Sequence, residues 1–222
     1  MSHSNTTFDN LPDEKQQRII DEATREFAEY GYHQASVNRI VTRLGIAKGS
    51  LFKYFGTKQG LFEHLFDRAV AQFKGPLKAA RGASPDRDVF RGIEQSLLAG
   101  VNFIESHPMI YRIYLKMLFQ ENFPMREKFL TEVRKASAKY LRPMVEQGIA
   151  SGQLRPDLDT DMAIHLLDSV MDRFLQSWSV PHLDGGIGLY QASREDVINK
   201  AAAVTDMLRC GLGNTASAGD KA

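Results

Sequence analysis

Apolar side chains recur every three or four positions along nearly the whole chain, the spacing that places them on one side of a helix. Over residues 12–30, Ile19, Ile20, Ala23 and Phe27 make such a stripe; Pro12 suits a first helical position and Gly31 is a stop signal. Ser36 caps a short helix with Val37, Ile40, Val41 and Leu44 on its inner face, and Gly45 ends it. A second short helix opens at Lys48 and stops at Gly56, and Thr57 caps a longer one through Leu61, Leu65, Phe66, Ala69 and Phe73. After Gly75-Pro76 the pattern weakens. It resumes over 86–106 with Phe90, Ile93, Leu97, Val101 and Ile104, then breaks at His107-Pro108, because a residue before proline avoids the helical region. Further helices are expected over 108–120 and 124–151, with a kink at Pro143 in the second.

The two remaining helices differ. From Asp159 to Ser179 the apolar residues come in pairs: Met162-Ala163, Leu166-Leu167, Val170-Met171 and Phe174-Leu175, then Trp178. Such doublets make an arc too wide for a helix with one wet face. One side can face its own domain and the other a second copy of the chain, with the last helix completing a four-helix interface. A central helix in a monomeric bundle has the same periodicity. The last helix starts at Ser193, with Asp196 three residues on as a capping-box variant, after a glycine-bearing loop over 181–192. No strand alternation of useful length appears. The expectation is an all-α chain of about nine helices. Its divisions are a flexible tail (1–11), a three-helix head (12–57), a larger helical domain that would hold the interface between copies (58–212) and a second tail (213–222).

Composition adds little until it is localised. The 222 residues are 43% hydrophobic, enough for a real core, and the net charge of +1 does not by itself indicate a nucleic-acid partner. Yet from Tyr30 to Phe62 there is no Asp or Glu, while the same window holds Arg39, Arg43, Lys48, Lys53 and Lys58. A carboxylate facing a phosphate backbone is repelled, so double-stranded DNA supplies a reason for the gap. Two short helices joined by a glycine-started turn make a helix-turn-helix, whose second helix enters the major groove by its N-terminal end. Here that end is Ala47-Lys48-Gly49-Ser50: small residues allow close approach, and Lys48 and Ser50 can reach bases or phosphates. Ser36 and the amides after it suit a phosphate. Leu51 and Phe55 match the inner face, whereas Phe52 and Tyr54 are expected on the DNA side with Lys53 and Lys58. The competing reading is a solvated basic face on an ordinary bundle.

Residues 19–65 resemble the N-terminal domain of the TetR family of bacterial transcriptional regulators. The resemblance is carried by Ile20, Ala23, Phe27, Gly31, Tyr32, Ser36, Val37, Ile40, Gly45, Lys48, Gly49, Ser50, Tyr54, Phe55, Lys58 and Leu61. It implies a homodimer whose two heads bind a palindromic operator, and a C-terminal domain that binds a small molecule and releases the DNA. It places Ser36, Lys48, Ser50, Tyr54 and Lys58 at DNA contacts. Phe52 stands where many members have tyrosine, and Asn38 where arginine is frequent, so both bear on base preference.

Seven of the eight methionines follow residue 100, together with many aromatic residues. Phe103, Tyr111, Tyr114, Met117, Met144, Met171, Phe174 and Trp178 are candidates to line an adaptable apolar pocket, although each also suits a plain core. The expected effector is small and hydrophobic or aromatic; a fatty acyl thioester is one candidate, with Arg112, Arg126 or Arg134 available for an anionic end.

Catalysis is not expected. His165, Asp168 and Ser169 lie within one turn, but a helix-interior serine offers no free amides for an oxyanion, and no GxSxG elbow occurs. The glycines at 185, 186 and 188 lack the lysine of a phosphate loop, and the six histidines are scattered, so neither cofactor nor metal is expected. One cysteine, Cys210, rules out an intramolecular disulfide. No apolar run approaches a membrane span and no signal-peptide core opens the chain, which makes a cytoplasmic protein the expectation.

Overall fold

The computed structural model describes residues 6–82, 88–119, 123 and 125–213, with side chains described outside 73–82 and residue 6. Among these residues it is all-helical apart from an isolated antiparallel bridge between Leu154 and Gly213. The helices are α1 (Thr6–Asp9), α2 (Asp13–Gln34), α3 (Val37–Leu44), α4 (Lys48–Phe55), α5 (Lys58–Gly82), α6 (Val89–Ser106), α7 (Pro108–Phe119), α8 (Arg126–Ala150), α9 (Thr160–Ser179) and α10 (Arg194–Leu212). A 3-10 turn, Pro181–Leu183, follows α9.

Two compact units form. The first comprises residues 1–73 and 107–130, the second 74–106 and 131–222. The first differs from the expected 12–57 head because α2, α3 and α4 share their core with residues of α1, α5 and α7. Phe62 and Leu65 of α5 and Ile113 and Met117 of α7 join Ile19, Ala23, Phe27, Ile40 and Leu51 in its core. Phe8, placed by the sequence in a loose tail, is 1% exposed and packs against the rings of Tyr54, Phe55 and His64. Residues 6–11 are therefore part of the head. The rest of that tail and residues 214–222 lie outside the described residues.

Gly31 interrupts α2 as expected, at φ +67°, a conformation that favours glycine. The weakening at Gly75-Pro76 does not end α5, which continues to Gly82. Pro143 likewise lies within α8. In the second unit, Phe90, Ile93, Leu141, Val145, Ala163, Ile164, Leu167 and Leu208 form one buried cluster, and Leu97, Val101, Phe174, Val197 and Ala201 another. The α9 doublets divide: Ala163, Leu167 and Phe174 face inward, whereas Met162 and Leu166 are exposed.

Candidate nucleic-acid interface

The α3–α4 pair is set by its ends. Ser36 caps α3, its hydroxyl accepting the Arg39 N–H at 3.4 Å. Gly45, left-handed at φ 67°, closes α3 with its N–H on the Thr42 carbonyl, and the Ile46 N–H reaches the Val41 carbonyl at 3.1 Å. Those two bonds make a Schellman stop, and they turn the chain into Ala47. From there α4 begins with Lys48, Gly49 and Ser50.

The exposed face then comprises Asn38 and Thr42 on α3 and Lys48, Gly49, Phe52 and Lys53 on α4, with Ser36 and Ser50 half-buried. Asn38 and Thr42 lie one turn apart on one face, a pairing the sequence spacing contains, although only Asn38 was expected at the interface. The Lys48 ammonium stands 5.8 Å from the centroid of the Phe52 ring. Nothing within 4 Å would meet a Cβ added at Gly49. Gly49 has no positive φ, so neither conformation nor packing inside the chain demands a glycine there.

Two expected outward groups turn inward. Tyr54 is buried, with its ring edge-on to Phe8 at 6.0 Å, because α4 has only eight residues and must anchor on both Leu51 and Tyr54. The expectation that its ring lies on the DNA side is corrected, whereas Phe52 is exposed as expected. Lys58 donates to the carbonyls of Ala35 at 3.0 Å and His33 at 3.3 Å, and lies over the Tyr32 ring at 4.6 Å. Burial holds its pKa below the ordinary lysine value, opposed by the charge of Glu26. It ties the start of α5 to the end of α2.

Charge across α3 is also different from the reading of the local window. Glu26 of α2 is 0% exposed and accepts the Ser36 N–H at 2.7 Å, Arg39 Nε at 2.9 Å and Arg39 Nη2 on one oxygen, and Arg43 Nη2 on the other. Arg43 Nε is paired with Glu22. Burial opposes the Glu26 charge, but the Arg39, Ser36 and Arg43 hydrogen bonds outweigh it and hold the carboxyl below the usual glutamate range. Arg39 also donates to the Gln34 carbonyl at 2.7 Å and stacks over Tyr30 at 4.2 Å. An acid on the apolar stripe of α2, between Ala23 and Phe27, is the signal that points to this network.

The expected effector residues fall in both units. Tyr111 and Met117 are buried in the first unit and Tyr114 is half-buried there; the rings of Tyr111 and Tyr114 are 5.6 Å apart. In the second unit Phe103, Met144 and Phe174 are buried, and Met171 and Trp178 half-buried. The Trp178 indole N–H is buried with no partner among the described residues. Of the arginines considered for an anionic ligand, Arg126 donates to the carbonyls of Met117 and Leu118 at the end of α7, and Arg134 pairs with Asp168 at 2.7 Å. Arg112 is exposed.

The α9 trio is not a triad: Ser169 donates to the His165 carbonyl at 2.8 Å, while Asp168 accepts from Arg134 and Ser137. Among the described residues no cluster suits a metal ion, and no helix is long and apolar enough to cross a membrane.

Residues 19–65 match the family of bacterial regulatory proteins named for tetR, and residues 87–209 match the tetracyclin repressor-like C-terminal domain. The structure of a TetR family transcriptional regulator from Chloroflexus aurantiacus J-10-fl is 34% identical in sequence, with a TM-score of 0.71 over 94% of this chain and 97% of that one. The fatty acid metabolism regulator protein of Bacillus subtilis (strain 168) is 26% identical over 204 residues, covering 90% of this chain and 96% of its own. The structure of FadR from Bacillus subtilis in complex with stearoyl-CoA shares the fold, with a TM-score of 0.69 and 20% identity over 88% of this chain and 98% of that one.

Proposed function

Because this chain belongs to the TetR family of bacterial regulatory proteins, which are DNA-binding transcriptional regulators and not enzymes, we propose how it does that work: as a homodimeric repressor that reads a palindromic operator with α3–α4 and is released by a small apolar effector. The observation that carries the DNA-reading face is Gly49. A glycine in the first turn of α4, exposed and required by no contact within the chain, leaves room for a partner to approach the backbone. Around it stand Lys48, Ser50, Phe52 and Lys53, with Asn38 and Thr42 on the neighbouring helix, in a stretch without carboxylates.

The N-terminal end of α4 enters the major groove, where Lys48 and Ser50 contact base edges or phosphate, and the Ser36 end of α3 meets the backbone. Lys53 contacts phosphate. Tyr54 supports α4 from behind with its buried ring, and Lys58 holds the α2–α5 junction while its charge remains near the phosphates. Both act on DNA chiefly through the placement of the helices.

For the dimer, the support is the exposed apolar set on α9 and α10: Met162 (61% exposed), Leu166, Ile198 and Met207 (73%). Met162 and Leu166 lie about one turn apart on α9, so at least these two make one exposed apolar face of the kind that suits a partner. For the effector, the support is the relationship to a fatty acid metabolism regulator and the methionine-rich and aromatic interior of the second unit, where Met144, Met171, Phe174 and Trp178 lie. A long-chain acyl thioester fits that chemistry. The buried indole N–H of Trp178 leaves a donor whose pairing with a ligand carbonyl recovers about 1–3 kcal/mol.

The test is a footprint of the purified protein on DNA upstream of its own gene, at two salt concentrations, followed by titration with stearoyl-CoA. A protected palindrome that weakens with salt and is lost on adding stearoyl-CoA is the expected result. No protection, with failure of a selection from random DNA, overturns the reading face. Protection that persists in stearoyl-CoA removes the acyl thioester and leaves the DNA reader standing.

A further inference from the structure

Arg39 and Arg43 are the two cations of α3, and both belong to the stretch that makes the head look basic. Neither presents its charge without compensation. Glu26, wholly buried, takes two hydrogen bonds from Arg39 and one from Arg43, and Glu22 takes the remaining contact of Arg43. Two carboxylates thus face two guanidinium groups, so the cluster is neutral. Arg39 is held a third and a fourth way, by the Gln34 carbonyl and by stacking on Tyr30. The guanidinium groups are nevertheless not deeply buried: the Arg39 side chain is 43% exposed and that of Arg43 30%. They flank Asn38 and Thr42 on the outer side of α3, within reach of solvent.

We propose that Glu26, with Glu22, is a specificity-determining device of the DNA-reading head: it masks Arg39 and Arg43 so that they do not bind phosphate, and it leaves sequence reading to Lys48, Ser50, Asn38 and Thr42. This rests on the α3–α4 face being the DNA-reading surface. The physical argument concerns where affinity comes from. Each arginine that neutralises a phosphate releases counterions from any DNA sequence alike, so it raises non-specific and specific binding together. A cation already paired with a carboxylate releases none. The same carboxylate accepts the N–H of Ser36, so it also positions the start of α3. One buried group therefore links the charge of the α3 face to the placement of that face. Because the other hydrogen bonds keep Glu26 ionised through the neutral range, the mask persists at physiological pH.

The test compares the salt dependence of operator and random-sequence binding for the wild-type protein and the Glu22→Gln, Glu26→Gln double variant. Unmasking both arginines in each head of a dimer frees four cations and steepens the slope of log affinity against log salt by about 3.6, which is roughly a hundredfold greater loss between 50 and 200 mM salt. Random-sequence DNA should then bind roughly a hundredfold more tightly at low salt, and the operator preference should narrow. An unchanged or shallower slope in a folded variant overturns the mask.

Should that variant fail to fold, the neutral deletion Glu26→Met, Arg39→Met serves instead. It keeps the wild-type slope if Arg39 releases no counterions, and a shallower slope shows that Arg39 contacts phosphate and refutes the proposal. Absence of operator binding by the wild-type protein at low salt is a different outcome, because it removes the reading face itself.

Discussion

Gly49 carries a residue-scale argument that separates folding from function. In a helix, glycine costs about 0.5–1 kcal/mol relative to alanine through lost chain entropy. Since a Cβ at Gly49 meets nothing within 4 Å, Gly49→Ala should raise the thermal midpoint while weakening operator binding by about tenfold, or about 1.4 kcal/mol. Thermal melts and operator titrations of the same samples measure both; a stabilised variant with unchanged affinity would place the groove elsewhere. His64 gives the second residue-scale prediction. Burial lowers its pKa from the ordinary 6.5, helped by the Arg68 charge and opposed by Asp9 and Asp67. Its ring packs on Phe8 and Phe55, and Nε2 has no partner among the described residues. The folded state therefore binds this proton less readily than the unfolded chain. Stability from neutral His64 is fully present above about pH 6.5 and falls as pH drops toward the lowered value. Thermal midpoints between pH 5 and 8 should decline on the acid side, and His64→Leu should flatten that decline. An equal decline in both proteins would assign it to other groups. The two positions differ in legibility: the sequence marks Gly49 as a small residue that allows close approach, whereas His64 carries no signal, because Phe8, which covers it, lies in a segment that reads as a loose tail.

At the scale of elements, periodicity sufficed for helices that bury one stripe against their neighbours. The starts of α3 and α10 carry the expected Ser36 and Ser193 caps, and α9 starts on an Asp159 cap that the sequence reading did not single out, each with a hydrogen bond to the following turn. What periodicity does not contain is the partner of each stripe. It points Tyr54 outward, because Leu51 and Phe55, four positions apart, define the inner face. The hidden partner was Phe8, in a segment too short and polar to read as a helix. The same gap explains Arg39 and Arg43. A window along the chain counts local charges, whereas Glu22 and Glu26 arrive from another helix, and Glu26 is hydrogen-bonded to a residue thirteen positions away. The α3–α4 turn was legible because its chemistry is local: glycine in a left-handed stop, small residues at the next start. The expected effector set was less so, since methionine and aromatic residues fill cores as readily as they line cavities. Met117 lies in the core of the first unit and Met144 in that of the second.

The whole molecule poses the question of why α9 has an arc of doublets. Within its unit the second member of each of the first two pairs, Ala163 and Leu167, is buried, and the first, Met162 and Leu166, is not. On α10, Ala201 and Leu208 are buried while Ile198 and Met207 face out. On α9 the two outward residues lie about one turn apart on one face, with Ser169 and Arg173 as polar interruptions, whereas Ile198 and Met207, nine positions apart, emerge on opposite sides of α10. In the dimer we propose, a second copy of the chain related by a two-fold axis covers the α9 face and the Met207 side of α10 with the same residues, which is the economical solution for identical surfaces. Leu166→Glu with Met207→Glu places carboxylates in that contact, and an unpaired charge buried there costs about 3–5 kcal/mol. The exposed position of both side chains in the single chain means the fold itself should survive, as helical circular dichroism would show. Sedimentation should then report a monomer at concentrations where the wild-type protein is a dimer. The DNA measurement makes the argument specific to function: one head instead of two should halve the salt slope of operator binding along with weakening it. A folded variant that remains dimeric would move the interface away from α9 and α10, and a monomer that keeps the full slope would mean that a single head makes all the phosphate contacts.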